Sequence, residues 1–585
     1  MKKSFHSELT KYRIFFIGLI LFLLLTSILS AQIRHKFDVR MPMRDGVKLS
    51  ADIWLPPEEG KYPAIFVRLP YLKTMPLLQF PKMAAFFVNH GYAVIVQDVR
   101  GRGDSEGKEF DFYFPDGEDG YDSIEWIAEQ PWCDGKVGMM GLSYLAAVQW
   151  LAAREKPSHL VCITPTAPSG RYFDELPYVG GAWKMHWSLD WINGVSARIA
   201  QNNDASVDWE SVLKHRPLIT MDEAMGRKMR LFKEWLEHNT LDNYWKRISF
   251  TPEDFRSLDL PALTVTGWFD ADQPGAIYYW DGMNEHSPGR DKQYLVIGPW
   301  THVQTFLGGA LSIGEMNFTG DSVIDRKAQH LAFFNHYLKG STPEFNHPRV
   351  KIYLTGSNKW LEMDDYPPPE VLYKPLYFHS GGKANTLIGD GLLSWEAPKK
   401  EPPDKYTYNP KNPVPSFVGG SMYAVDNRVI ERRDDVLVYT TEELKKQTTV
   451  LGRVFVYLHA ASDALDTDFT AKILDVYPDG RAVNLGPQSL GIRRARYRNG
   501  YDKEELLTPN KPEKFKIELF DIGHTFLPGH KIRIEISSSS YPRFNPNQNT
   551  GNPVATDTEW KIAHQTIFHD SQRPSHVLLS VFPIK

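Results

Sequence analysis

Cysteine is almost absent. Cys133 and Cys162 are the only two in 585 residues, which excludes a disulfide-stapled scaffold and a cysteine zinc centre. Both lie near apolar runs that read as strands, so two buried thiols are expected. Blocks of one charge are missing too. The chain has 67 Lys and Arg against 71 Asp and Glu, a net charge of −4, and no basic stretch, which excludes a nucleic-acid partner. No internal repeat stands out. Long apolar runs are also lacking: Ile14–Leu25 falls short of the roughly 20 residues that span a bilayer. Its flanks give it another meaning. Lys2, Lys3, Lys11 and Arg13 surround its start, and small residues from Ser27 to Ala31 follow it, the layout of an export signal cut after Ala31. No cysteine follows to take a lipid. Left uncut, the segment would be a membrane anchor. Export to the periplasm or the medium is the expectation.

What is present describes an ordinary globular protein of several domains, 42% hydrophobic and 24% charged, with 16 Trp. From Phe37 to Leu55 an alternating pattern around Asp45-Gly46 predicts a β-hairpin. Apolar runs at 64–67, 93–96, 137–140, 161–163, 262–266 and 294–297 read as buried parallel strands. Helical patterns such as Tyr121–Glu129 and Tyr144–Arg154 separate several of them, which predicts an α/β sheet covered on both faces. The alternation breaks over 167–258, where tryptophans and helix formers such as Glu223–His238 predict an inserted helical cap. A helix over Arg326–Leu338 ends at Lys339-Gly340. From about 346, short alternating stretches and Pro/Gly/Asn turns predict an all-β sandwich, with Val350–Leu354, Val454–His459 and Ile532–Ser537 among its strands. The expected layout is a signal over 1–31, an α/β domain in two parts (32–166 and 259–345), the cap between them, and the sandwich over 346–585.

One short run carries the chemistry. Gly141-Leu142-Ser143-Tyr144-Leu145-Ala146 follows an apolar strand and opens a helix, the strand–turn–helix context of an α/β-hydrolase nucleophile elbow. Such a serine needs a base and an orienting acid, in the chain order Ser, Asp or Glu, His. The strand at 262–266 runs into Asp270, and the strand at 294–297 runs into His302. Both fall at the carboxyl ends of strands, where ligand-facing loops belong. His302 would take the Ser143 proton and Asp270 would orient the imidazole. The backbone N–H of Tyr144 and a group on Tyr71, which follows the early strand, would bind the oxyanion.

With those residues in place, the chain resembles the cocaine esterase-like hydrolases, relatives of X-Pro dipeptidyl-peptidases and α-amino acid ester hydrolases. The matching pieces are Arg68-Leu69-Pro70-Tyr71, Asp98-Val99-Arg100-Gly101-Arg102-Gly103, Trp132-Cys133-Asp134-Gly135, the Ser143 elbow, Gly267-Trp268-Phe269-Asp270 and Gly298-Pro299-Trp300-Thr301-His302. In the β part, Asp466-Thr467-Asp468-Phe469, the run from Asp475 to Gly480, Pro528-Gly529-His530 and Pro542-Arg543-Phe544 also match. The resemblance implies an α/β-hydrolase with a helical cap and a C-terminal jelly roll. It implies Ser143, Asp270 and His302 as the triad, the Tyr71 hydroxyl as an oxyanion donor, and no metal or cofactor. Ala146 stands where the family usually has glycine; its methyl group calls for a slight shift of the helix. The subfamilies differ over a free α-amino group on the acyl part, which would need carboxylates. Asp272 matches one such acid, Gln273 stands where a second would be, and the cap offers Asp174 and Glu175.

The implied activity is hydrolysis of small esters or amides, α-amino acyl esters among them. The alternatives are an X-Pro dipeptidyl-peptidase-like aminopeptidase and a non-catalytic hydrolase fold that binds a ligand. Nothing in the sequence fixes whether copies associate into a homo-oligomer. Other motifs are set aside. The glycine run from Gly101 to Gly107 has the wrong spacing for a dinucleotide loop, and Arg102-Gly103-Asp104 is a chance adhesion tripeptide. His524 and His530 lack further metal ligands, and Asp463–Asp475 lacks calcium-loop spacing.

Overall fold

The computed structural model describes residues 33–75, 79–199, 207–340, 345–416 and 423–583; the expected export signal lies outside them. Ten strands form the central sheet: β1 (Arg34–Pro42), β2 (Lys48–Leu55), β3 (Tyr62–Leu69), β4 (Ala93–Asp98), β5 (Cys133–Leu142), β6 (Leu160–Thr166), β7 (Ala262–Phe269), β8 (Gln293–Thr301), β9 (Val350–Leu354) and β10 (Lys359–Met363). Their order is β1-β2-β4-β3-β5-β6-β7-β8-β9-β10. The run from β4 through β9 is parallel, and the edges are antiparallel. The inner strands are apolar on both faces because helices cover both; every residue of β4 is buried. The hairpin turns at Gly46, whose φ of 87° favours glycine, and pairs Val39 with Ala51.

Helices α1 (Phe80–Val88), α2 (Asp116–Ala128) and α3 (Tyr144–Arg154) follow β3, β4 and β5. The α2 helix starts five residues before the sequence pattern suggests. Its first turn carries Asp116, Glu118 and Asp119, which suit the positive end of the helix dipole. Gly117 and Gly120 hide that start, since glycine is a poor helix former. A Cβ on Gly120 would collide with Ala152 of α3, so this glycine serves helix–helix contact. Cys133 and Cys162 are buried free thiols.

The segment between β6 and β7 opens with three short strands, Tyr172–Phe173, Leu176–Val179 and Ala182–Trp183, where only helix was expected. Then comes α4 (Met185–Val195), followed after several shorter turns of helix by α5 (Arg230–Glu237). The expected helical stretch 223–238 breaks at Gly226, with a φ of 94°. Trp183, Trp235 and Trp245 are fully buried and pack edge-on or tilted against one another. Trp187 and Trp191 stack 5.7 Å apart on the site side of that core.

After β10 the chain forms a second, 13-stranded sheet. It closes around a core that includes Phe378, Val450, Leu458, Phe469, Ile517 and Ile534, and Trp268, Phe269 and Trp280 of the α/β part join the same core. The strand Val350–Leu354 was expected in the sandwich; it pairs parallel with β8 instead, because its buried Val350, Ile352 and Leu354 extend the central sheet. Two buried ion pairs, Arg494 with Asp468 and Arg496 with Asp466, brace a loop that holds the cap: Met185 N donates to Arg543 O and Asn545 N to Trp183 O. His524 and His530 both hydrogen-bond Asp475. In the Arg-Gly-Asp tripeptide, Arg102 is completely buried and unavailable to a partner.

Candidate active site

The elbow is built by steric necessity. Ser143 has φ 65° and ψ −122°, a strained conformation for a non-glycine residue. It is over-determined by its surroundings: Ser143 N donates to Thr166 O on β6 at 2.9 Å, and Ser143 O accepts from Ala146 N and Ala147 N in α3. Gly141 (φ 154°) has no room for a side chain, since a Cβ would overlap Leu145. The turn therefore lifts Ser143 onto the N-terminus of α3. Ala146, the departure from the family pattern, is fully buried, and its methyl group is accommodated with the elbow hydrogen bonds intact.

β7 and β8 deliver the other two groups side by side. Asp270 directly follows β7 and is fully buried. Its Oδ2 accepts from Thr266 Oγ1 at 2.7 Å and its Oδ1 from Asp272 N at 3.0 Å. His302 opens a short helix, α6 (His302–Leu307), after β8; that helix starts with a capping box between Thr301 and Gln304. His302 Nδ1 lies 2.7 Å from Asp270 Oδ1. Burial disfavours the charged imidazole, but Asp270 and Asp272 outweigh it and raise the His302 pKa to about 9.

Tyr71 follows β3, and its hydroxyl interacts with Ser143. Trp191 Nε1 of α4 donates to Tyr71 Oη at 3.0 Å, which fixes the hydroxyl oxygen and leaves its hydrogen to donate elsewhere. Burial pushes the Tyr71 pKa up to about 12, so the group remains a donor across the neutral range. The Tyr144 ring stacks on Tyr113 at 4.3 Å, and its hydroxyl donates to Asp116. Asp116 also faces Arg68 at 3.2 Å. These contacts pin the residue whose backbone N–H starts α3. Asp116 and the Trp191 donor were not singled out from the sequence; a Trp in the cap and an Asp at the start of α2 carry no local mark of a contact with the elbow.

Comparison with known proteins fits this geometry. The model of the X-Pro dipeptidyl-peptidase (S15) family matches residues 45–304, and that of the X-Pro dipeptidyl-peptidase C-terminal non-catalytic domain matches residues 344–578. A cocaine esterase of Rhodococcus sp. (strain MB1 Bresler) is 34% identical over 93% of this chain and 98% of its own. The chain belongs to the S15 serine hydrolases. Among solved structures, an α-amino acid ester hydrolase superposes with a TM-score of 0.83 at 27% identity, covering 94% of this chain and 97% of that one. An aminopeptidase from a marine-sediment Thaumarchaeota archaeon gives 0.82 at 27%, covering 94% and 96%.

In this S15 hydrolase, one of the three candidate amine-binding acids, Asp272, lies beside the base. Asp272 Oδ2 lies 3.9 Å from His302 Nδ1, and burial raises the Asp272 pKa. Glu175 is buried, and its Oε2 accepts from Gly170 N and Arg171 N. Burial and the charge of Asp272 push its pKa up to about 8. Asp174 points elsewhere: it bonds Arg171, Gly180 N and Tyr501 Oη, each at 2.8 Å, and serves the cap's junction with the C-terminal sheet. Gln273 also turns away, donating to Asp521 O at 3.0 Å. Asp272 and Glu175 have a neighbour that no local pattern marks. Lys184, at the start of α4, acts electrostatically on Asp272, Glu175 and Asp270.

Proposed function

We propose that the chain hydrolyses carboxylic esters through an acyl-enzyme on Ser143. The observation that carries the reading is the 2.7 Å His302–Asp270 contact at two strand ends, combined with a strained Ser143 beside the Tyr71 hydroxyl. Neutral His302 takes the Ser143 proton as Oγ attacks the ester carbonyl, and Asp270 holds Nδ1–H and stabilises the resulting imidazolium. The carbonyl electron pair becomes an oxyanion, met by the Tyr71 hydroxyl and the Tyr144 N–H. Collapse expels the alkoxide, which takes the proton from His302. Water then repeats the sequence on the acyl-enzyme, releasing the acid and restoring Ser143. The family and the cocaine esterase relative support ester hydrolysis. Amides and peptides with a free N-terminus form a second reading, favoured by the buried Asp272 carboxyl group near the base.

The test is a serine-directed phosphonate together with a simple aryl ester. Wild type should label and turn over. Ser143→Ala should keep its fold, lose the label and lose activity by about 10⁴-fold or more. A wild type that neither labels nor hydrolyses would make this a ligand-binding hydrolase fold. We also propose export through residues 1–31, supported by their charge and apolar pattern; N-terminal sequencing of the mature protein should begin at Gln32.

A further inference from the structure

Among the buried arginines described, Arg68, Arg494, Arg496 and Arg533 each face a carboxylate, and Arg102 spends three nitrogens on carbonyls. Arg326 is matched less well. It is 3% exposed and opens the helix α7 (Arg326–Tyr337). Its Nε donates to Thr305 O at 2.9 Å and its Nη1 to Gln329 Oε1, and the guanidinium lies 4.7 Å from the centre of the Trp300 ring. Its Nη2 is buried with no hydrogen-bond partner, and the group makes no ion pair among the described residues. Burial lowers its pKa to about 9, which leaves it a cation at pH 7. A buried charge without a counter-charge is costly, so the missing partner is an anion.

Arg326 lines a cavity of about 210 Å³ between β5, α1, α6 and α7. Met83, Met140, Phe306 and Ile324 give it apolar walls. Exposed Lys82 and Lys327 also line it. Asp325 is the one acid among its described lining residues, and that carboxylate caps α7 by accepting from Ala328 N at 3.1 Å. His330, 1% exposed, forms a further wall, and its Nε2 has no partner either. Burial and the charge of Arg326 hold the His330 pKa near 3, so it is neutral and supplies no counter-charge. The lining therefore sets three cations against one carboxylate. A cavity near 150 Å³ takes benzene, so this one suits a ligand of about eight non-hydrogen atoms. None of Ser143, Asp270, His302 and Tyr71 lines it.

We propose that this cavity is a binding site for a small aliphatic monocarboxylate: the carboxylate meets Arg326, and the chain lies against Met83, Met140 and Phe306. The bound acid completes the partners of a guanidinium that the fold leaves short. The site uses no catalytic group and stands apart from the ester hydrolase reading above.

Calorimetric titration at pH 7 compares hexanoate with 1-hexanol, a chain of nearly the same size without the charge. Wild type should bind one equivalent of hexanoate with a Kd of about 0.1–1 mM. It should bind 1-hexanol at least about tenfold more weakly, the range of one charge-assisted contact. Arg326→Met should erase that preference, and Arg326→Lys should retain it. Ile324→Trp puts an indole into the cavity and should abolish binding of both. Circular dichroism and Tm report folding; if Arg326→Met fails to fold, Arg326→Gln takes its place with the same expectation, and Ile324→Trp decides independently whether the cavity is the site. No binding by wild type would leave the cavity to water and overturn the proposal. Equal affinity for acid and alcohol, or an acid preference that survives in the neutral variant, would overturn the role of Arg326. Hexanoate bound unchanged by Ile324→Trp would place the acid elsewhere, the catalytic serine included. Failure of Ser143 to label with phosphonate bears on the hydrolase reading alone.

Discussion

Asp272 lies two residues beyond Asp270 and bears on the proposed base. His302 is held near 9 because Asp270 and Asp272 together outweigh its burial. General-base attack needs the neutral imidazole, so kcat/KM should rise with pH, with its limb on the alkaline side of 6.5. Asp272→Asn removes a negative charge 3.9 Å from Nδ1; the imidazolium loses stabilisation and its pKa falls. The limb should move to lower pH by about one unit. A pH–rate profile on a neutral ester reads this directly, and a limb that stays put or moves up would detach Asp272 from the titration of His302. At this scale the sequence was legible where chemistry coincided with strand ends. Ser143, Asp270 and His302 each follow an apolar run, in hydrolase order. Lys184 and Asp116 follow no such mark. Lys184 sits in a cap whose path over the sheet is set by long-range packing, so its electrostatic interaction with Asp272 carries no local mark.

Elements position these residues through a few buried polar ties. Arg102, fully buried, donates to Pro70 O at 2.6 Å, Val195 O at 3.0 Å and Gly194 O at 3.1 Å. It thereby joins the turn that carries Tyr71 to the end of α4, which carries Trp191, the donor to Tyr71. Arg102→Met would strand two buried carbonyls and a half-buried one. Stability should fall by about 2–4 kcal/mol, since each orphaned acceptor costs about 1–3 and neighbours partly relax. Loosening of Tyr71 should lower kcat more than it raises KM. Urea unfolding and steady-state kinetics check the two parts separately; a loss of stability with kcat intact would make Arg102 a cap anchor without influence on the oxyanion donor. In the sequence the glycine-rich loop around Arg102 is marked only by a spacing that does not suit a dinucleotide. The three carbonyls it serves were not legible, because their donor and acceptors are 32 to 93 residues apart. Local pattern likewise missed the start of α2, where glycines needed for contact with α3 depress helix propensity.

At the scale of the whole molecule, the change of character near residue 346 marks a second sheet, but not how it meets the first. Strand β9 lies beyond that point and still completes the central sheet, since an apolar alternating strand suits either one. The contact between the sheets bears on the site. Gln273 donates to Asp521 O, Arg453 bridges Asp281 and Asp521, and the Trp268 ring, two residues before Asp270, lies over the backbone of Gly523. A Cβ on Gly523 would fall inside that ring, so the glycine is required by the approach of the two sheets. Gly523→Ala must displace either Trp268 or its own strand. Overpacking of this kind costs about 1–3 kcal/mol. Because Trp268 and Asp270 share one turn, in which Asp270 N donates to Gly267 O, the displacement should reach the His302–Asp270 contact. We expect a lower Tm and a fall in kcat toward a neutral ester with little change in KM. Gly523→Ala/Trp268→Phe relieves the collision and should recover part of the lost kcat, although the indole loses its bond to Tyr353 O. A variant with lowered Tm and unchanged kcat would mean that the C-terminal sheet supports the fold without setting the position of the acid.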